Sequence, residues 1–339
     1  MIGTDYDAYT EIYATSINRI DELFEFGHEP LFDLLILLLR NFDFSAQMLF
    51  VVMSGITIFF IYYGLRAHLS SERSILLVLV LYTTFFTAGG YWSGFNLVRQ
   101  AAAMSIVFYS SRYIVKNSFL KFIGVLICAM GFHYSAIIFL PFYWIAKIKL
   151  SARAMVIGTF LALGVTISGL SLKLFLVLIP TLTEMYGKYL SAALDVSAGT
   201  SGFSFMTIGL YLLFCVCLYV YSKNTVIDKL TMLAFSYMVI RILLSIPLEG
   251  NPAITLIIHR FEIYFLLFYL IFLSRGIEAA NQQKIGRPLL CCSMMFLSAV
   301  FSFLMIYQLQ QGANDPINRL LPSPSAGNYQ YEFNFRLFQ

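Results

Sequence analysis

Arg99, Arg241, Arg260 and His133 are the residues best placed to do chemistry, because each interrupts an otherwise apolar stretch of chain. A guanidinium stays charged at any working pH, and its planar fork matches phosphate oxygens two at a time. Arginines gathered at one half-buried cavity would therefore recognise a multiply charged anion. If that anion were a leaving group, the same charges would stabilise it as it departs. A histidine beside them could move a proton or hold a hydroxyl. Asp5, Tyr6, Tyr9, Tyr13 and Glu29 offer the hydrogen bonds and ring faces that a sugar needs. Plainer readings compete. Arg99 and Arg260 could snorkel to lipid phosphates, His133 could be a hydrogen-bonded core residue, and Arg241 could pair with Glu249 or Glu262. The acids near the N-terminus could simply be solvated.

Composition fixes the setting for these residues. Of 339 residues, 59% are hydrophobic and only 12% charged, with a mean hydropathy of +0.78. Soluble domains carry about 25% charged residues, so the fold class expected is all-α, a polytopic transmembrane bundle. The 33 Phe and 22 Tyr suit rings that face lipid or belt its interfaces. No basic tract has nucleic-acid character. Cys128, Cys215, Cys217, Cys291 and Cys292 all fall in apolar segments, without zinc spacing, and read as small hydrophobes. No acidic cluster suited to a metal is evident, and no cofactor is expected.

A helix needs about 20 apolar residues to span the hydrocarbon. Candidates are Ser45–Tyr63, Ile75–Thr87, Leu97–Tyr113, Met155–Ile179, Phe203–Tyr221, Leu230–Leu248, Ile254–Ser274 and Leu289–Tyr307. Two short arms flank Gly131-Phe132-His133 inside the apolar run Ser118–Ile145 and complete ten crossings. Glu29-Pro30 signals the start of an amphipathic helix reaching Arg40, too short to span. Basic residues bracket the His133 run on both sides (Arg112, Lys116 and Lys121, then Lys147, Lys149 and Arg153), so the chain goes in and returns. The loops assigned to the cytoplasm hold 13 of the 22 basic residues but only Glu72, Asp228 and Glu278 of the 18 acids. That asymmetry sets residues 1–44, the loop Pro180–Gly202 and the tail 308–339 on the outer side of a membrane domain, 45–307. The first 33 residues have no apolar core of a signal peptide. Their start reads like the middle of a protein, so either an upstream helix precedes it or a short acidic tail inserts by itself.

With orientation set, helix rise gives depth. Arg99 and Gln100 open one outside-to-inside segment, and Arg260 and Glu262 lie in the first turns of another. Arg241 lies roughly 10 Å below the outer end of its own segment, and His133 turns near that level. All four are drawn to the outer half.

The series Gly3-Thr4-Asp5-Tyr6 with Tyr9, Glu29-Pro30, Arg99-Gln100, Phe132-His133-Tyr134-Ser135 and Arg260 with Tyr264 resembles the EpsG family of Wzy-type polysaccharide polymerases. The resemblance runs from Gly3 to about Ser274. It implies a GT-C-like glycosyltransferase of the bacterial inner membrane that joins repeat units carried on undecaprenyl pyrophosphate, facing the periplasm or exterior. Arg99 and Arg260 would contact the pyrophosphates as catalytic residues, and His133 would assist the acceptor. Asp5, Tyr6, Tyr9, Glu29, Gln100, Ser135 and Tyr264 would bind substrate, with Arg241 added to them by its depth alone. The products would be O-antigen, capsule or exopolysaccharide, and a chain-length regulator and a flippase are the expected partners beside the membrane lipids. Relatives usually carry a helix before the Gly-Asp-Tyr segment. A ligase-like transferase would need the same basic cavity. A lipid-linked glycan flippase would favour internal repeats, of which none is evident.

Overall fold

The computed structural model describes residues 6–16, 20, 23, 28–84, 91, 94, 97–171, 205–222, 227–245 and 252–282. Every regular element among them is helical. In chain order these are α1 (Tyr6–Thr15), α2 (Pro30–Asn41), α3 (Ala46–His68), α4 (Glu72–Thr84), α5 (Val98–Val115) and α6 (Phe119–Phe132). A 3-10 segment (Tyr134–Phe139) follows, then α7 (Phe142–Ile145), α8 (Ala152–Ile167), α9 (Phe205–Ser222), α10 (Lys229–Ser245) and α11 (Pro252–Gln282). The expected amphipathic helix is α2, ending one residue beyond Arg40. Asp5, Glu249, the loop Pro180–Gly202, the span Leu289–Tyr307, Cys291-Cys292 and the tail 308–339 lie outside the described residues.

Among the described residues two helices are long and apolar enough to cross a bilayer, Ala46–His68 and Arg260–Ala280 within α11. They differ in what surrounds them. In the most apolar window of α3 only 28% of residues are buried, against 83% for α11. α11 is thus the central column, and α3 turns Val51, Ile58 and Phe59 outward. Leu76 and Val80 on α4, Leu120 and Ile127 on α6, and Phe160 and Leu161 on α8 are exposed too. So much bare apolar surface is sustainable only against lipid. This is a membrane protein. The expected ten crossings reduce, among the described residues, to these two full-length candidates and four shorter apolar helices, Phe119–Phe132, Tyr134–Ile145, Ala152–Ile167 and Gly209–Ser222.

Cross-helix contacts give the direction of each element. Leu49 and Met53 of α3 cluster with Val98 and Ala102 of α5, while His68 bonds Ser111, so α3 and α5 run parallel. Gly64 lies between them: a Cβ there would come within 2.6 Å of the Phe108 ring. α5 is rich in small buried residues, Ala101 to Ala103, Ser105, Ser110 and Ser111, which let membrane helices approach closely. α10 runs against α11, with Asp228–Arg275 at one end and Arg241–Glu262 towards the other. α9 runs with α11, Tyr269 donating to the Leu210 carbonyl and Phe214 packing on Phe272. The alternation matches the directions expected from loop charge.

The chain reverses at His133. α6 ends at Phe132, His133 is extended (φ −160°, ψ 120°), and the return carries Tyr143 and Trp144 back onto Phe119. The outward arm has 14 residues, roughly 21 Å at helical rise, short of the ~30 Å hydrocarbon core. The return arm is a 3-10 segment and one short helix rather than a regular α-helix. The reversal is thus made by a short helical arm and a largely 3-10 return, with Ala136 and Phe139 buried against neighbouring helices while Tyr134 and Ile137 stay exposed.

The opposite end is closed by a polar clamp. Arg275 pairs with Asp228 at 2.7 Å and donates to the His68 carbonyl. Lys229 Nζ donates to the Ile114 and Val115 carbonyls and to Asn117 Oδ1, capping α5. Partial burial by itself would raise the Asp228 pKa. The Arg275 guanidinium and the N–H and hydroxyl of Thr231 outweigh it and hold the carboxyl below its usual range. A carboxylate depressed in this way stabilises the fold above its unfolded pKa, and that contribution is lost as pH falls through the folded value. Thermal unfolding in detergent should therefore lose stability as pH falls below about 4, and Asp228→Asn should flatten that dependence. An unchanged acid slope in the variant would dismiss the clamp.

Candidate functional site

At the other end of the bundle, residues from three separate segments meet around one carboxylate. Glu29 stands at the N-cap of α2 but makes no side-chain bond to its own helix. Its Oε2 accepts from Arg99 Nη1 at 2.8 Å, at the start of α5. Its Oε1 accepts from His133 Nδ1 at 2.5 Å and from the Tyr134 N–H at 3.4 Å, at the reversal after α6. Glu29 is 6% exposed. Both oxygens accept from internal partners, so this residue, expected to bind substrate, also holds two other candidates in place.

Asp33, one turn further along α2, supports this arrangement. It accepts from the Glu29 N–H at 3.1 Å, from Ser16 Oγ at 3.1 Å and from His28 Nδ1 at 3.0 Å. The hydroxyl of Tyr134 donates to the His28 carbonyl. Asp33 and His28 were not singled out in the sequence, and Tyr134 only as part of the Phe132-His133-Tyr134-Ser135 motif. Asp33 had a usable signal: it falls on the same face as Phe32, Ile36 and Leu37, where an acid needs a partner.

Arg99 lies over two rings, Phe32 at 5.2 Å and Tyr9 at 5.8 Å from their centroids. Tyr9 is buried under it, edge-on to Phe32 and Phe50, and Tyr6 stacks on Phe50 at 5.1 Å. The two tyrosines expected to bind substrate therefore dock α1 on α3, and Tyr9 also walls the guanidinium. A cation desolvated against ring faces gains electrostatic attraction beyond its salt bridge.

The next turn of α5 leads to α11. Gln100, 2% exposed, donates from Nε2 to the Arg260 carbonyl, so the backbone carrying Arg260 is tied to the helix carrying Arg99. Ser135 Oγ and Tyr264 OH share a hydrogen bond of 2.7 Å, tying the reversal to the same helix. Arg260 is half-buried and its buried Nε has no hydrogen-bond partner among the described residues. It has no acidic partner among them either. Arg241 differs: it pairs with Glu262 at 2.6 Å, with side chains 6% and 0% exposed. The internal pairing that competed with a substrate role for Arg241 is thus present.

Close packing fixes the geometry around Glu29. A Cβ on Gly131 would lie 2.5 Å from Leu31 Cγ, so glycine lets α6 approach the start of α2. Gly131→Ala should separate α2 from α6 and lower the melting temperature in detergent, and Leu31→Ala added to it should restore much of the loss. An unchanged melting temperature in the single variant would show that this contact is dispensable.

Taken together, the cluster presents a guanidinium without a described counter-ion, a second guanidinium tied to a carboxylate, and an imidazole oriented by the same carboxylate. No group of three or more metal-ligating side chains occurs among the described residues. The arrangement suits anion binding by Arg260 and proton transfer or hydroxyl positioning by His133. Compared with known sequences, residues 1–317 match the family model described as EpsG family. No curated protein and no solved structure matches.

Proposed function

The chain belongs to the EpsG family, and from that premise we propose that it is a glycosyltransferase polymerising lipid-linked oligosaccharide repeat units. Membership goes with membrane proteins of polysaccharide biosynthesis; the reaction is our reading. In it, the growing glycan is carried on undecaprenyl pyrophosphate at the outer face of the bacterial inner membrane. A hydroxyl of the next lipid-linked unit attacks the anomeric carbon, and the lipid pyrophosphate leaves. Arg260 would take the charge that develops on the leaving diphosphate, with Arg99 beside it, and His133 would hold the attacking hydroxyl. A ten-crossing GT-C-like fold, an outward-facing site, a chain-length regulator and a flippase as partners belong to the same proposal.

The observation that carries it is the linkage of Arg99, His133 and Arg260 through Glu29 and Gln100 at one end of the bundle. Arginines scattered on separate lipid-facing flanks would have read as snorkelling anchors. Purified protein in lipid, given a lipid-pyrophosphate repeat unit, should yield a ladder of longer glycans. Failure to extend that unit under conditions where the donor remains intact would refute the reading. In cells lacking the protein, single repeat units should still reach the surface; their absence would favour transport or ligation.

A further inference from the structure

We infer that Glu29 is the positioning residue for His133, fixing the imidazole tautomer that presents a bare Nε2 to the acceptor hydroxyl. The inference rests on the transferase reading and assigns Glu29 a role other than sugar binding. Three observations support it. Glu29 Oε1 lies 2.5 Å from His133 Nδ1. An ionised carboxylate only accepts, so the shared hydrogen sits on Nδ1, and in the neutral imidazole Nε2 then keeps its lone pair. No hydrogen bond among the described residues engages Nε2, and the His133 side chain remains 20% exposed, so an incoming group can reach it. Arg99 on Oε2 and the Tyr134 N–H on Oε1 hold the carboxylate itself.

The step balances as follows. The acceptor O–H proton moves to His133 Nε2 as that oxygen bonds to the donor's anomeric carbon. The bond from that carbon to the diphosphate oxygen breaks, its electron pair leaving with the diphosphate. The imidazolium formed lies against Glu29, whose charge stabilises it without itself taking the proton. This is the orienting role of a buried acid behind a catalytic histidine in hydrolases of unrelated fold.

Glu29→Gln is a sharp test because the amide has one acceptor and one donor side. Arg99 only donates, so the amide oxygen turns to Arg99 and the NH2 faces Nδ1. His133 must then accept at Nδ1 and carry its hydrogen on Nε2, the wrong tautomer for a base. Turnover should fall about 10²–10⁴-fold, while the isosteric side chain keeps the fold. In a His133→Ala background the same substitution should cost almost nothing further, since residues that act as a unit are not additive. Nitrogen-15 spectra of the four histidines should show His133 protonated at Nδ1 in the wild type and at Nε2 in Glu29→Gln.

A wild-type His133 carrying hydrogen on Nε2 would overturn the inference, and that measurement needs no variant to fold. So would a Glu29→Gln effect undiminished in the His133→Ala background, or normal turnover of Glu29→Gln. If the wild-type protein extends no glycan at all, the transferase reading fails with the acceptor role of Nε2, whereas a wild-type enzyme that works with the wrong tautomer sinks only this inference.

Discussion

Replacing Arg260 by alanine should leave a folded protein that makes no long-chain glycan. Of the three arginines towards this end of the bundle, Arg99 pairs with Glu29 and Arg241 with Glu262. Arg260 alone has no acidic partner among the described residues, and its buried Nε has no hydrogen-bond partner there. Its charge is thus the one most available to a diphosphate. Removing one preorganised group of this kind costs about 10²–10³ in turnover. Little stability should go with it, because Gln100 holds the Arg260 backbone carbonyl rather than its side chain. Arg260→Lys should recover only part of the activity, since a point charge does not reproduce the two-pronged fork. Glycan length on gels and melting temperature in detergent are the two readouts. Normal polymer from Arg260→Ala would remove the basis of the anion site. Arg99→Ala should behave differently, losing protein as well as activity, because it strips Glu29 of its guanidinium.

Arg241→Ala should have the largest effect on stability. The guanidinium and the Glu262 carboxylate are 6% and 0% exposed and 2.6 Å apart. Deleting one partner strands the other charge in a low-dielectric interior, which costs about 3–5 kcal/mol. Glu262 has little help in reserve, since its Oε1 already lacks a hydrogen-bond partner among the described residues. Arg241→Met combined with Glu262→Leu should regain most of the loss, because apolar replacement of a whole buried pair is near neutral. A substrate-binding Arg241 would give the opposite pattern: a stable double variant with no polymer. A single variant as stable as the wild type would show that the pair contributes nothing.

Much of the architecture was legible in one dimension. Apolar runs, the basic residues on either side of residues 118–145 and the Glu29-Pro30 start signal are local features. They correctly gave an all-helical membrane protein, the reversal at His133 and the helix from Pro30. Counting residues along helices put Arg99, His133 and Arg260 near one level, and in the fold Glu29 and Gln100 link all three at one end of the bundle. The form of the return arm was not legible in this way: Tyr134–Phe139 winds as a 3-10 helix where apolar composition alone reads as ordinary helix.

The sequence by itself determined that several charged groups lie in an apolar setting and must find partners, because an isolated charge there is too costly. Only the tertiary structure decided which partners. Glu29 reaches Arg99 across 70 residues and His133 across 104, and no periodicity carries information over such separations. Helix packing chose among the available acids, giving Glu262 to Arg241 and Glu29 to Arg99 and His133. That choice set Glu29 between Arg99 and His133, and left Arg260, alone of the three arginines towards this end, without an acidic partner among the described residues.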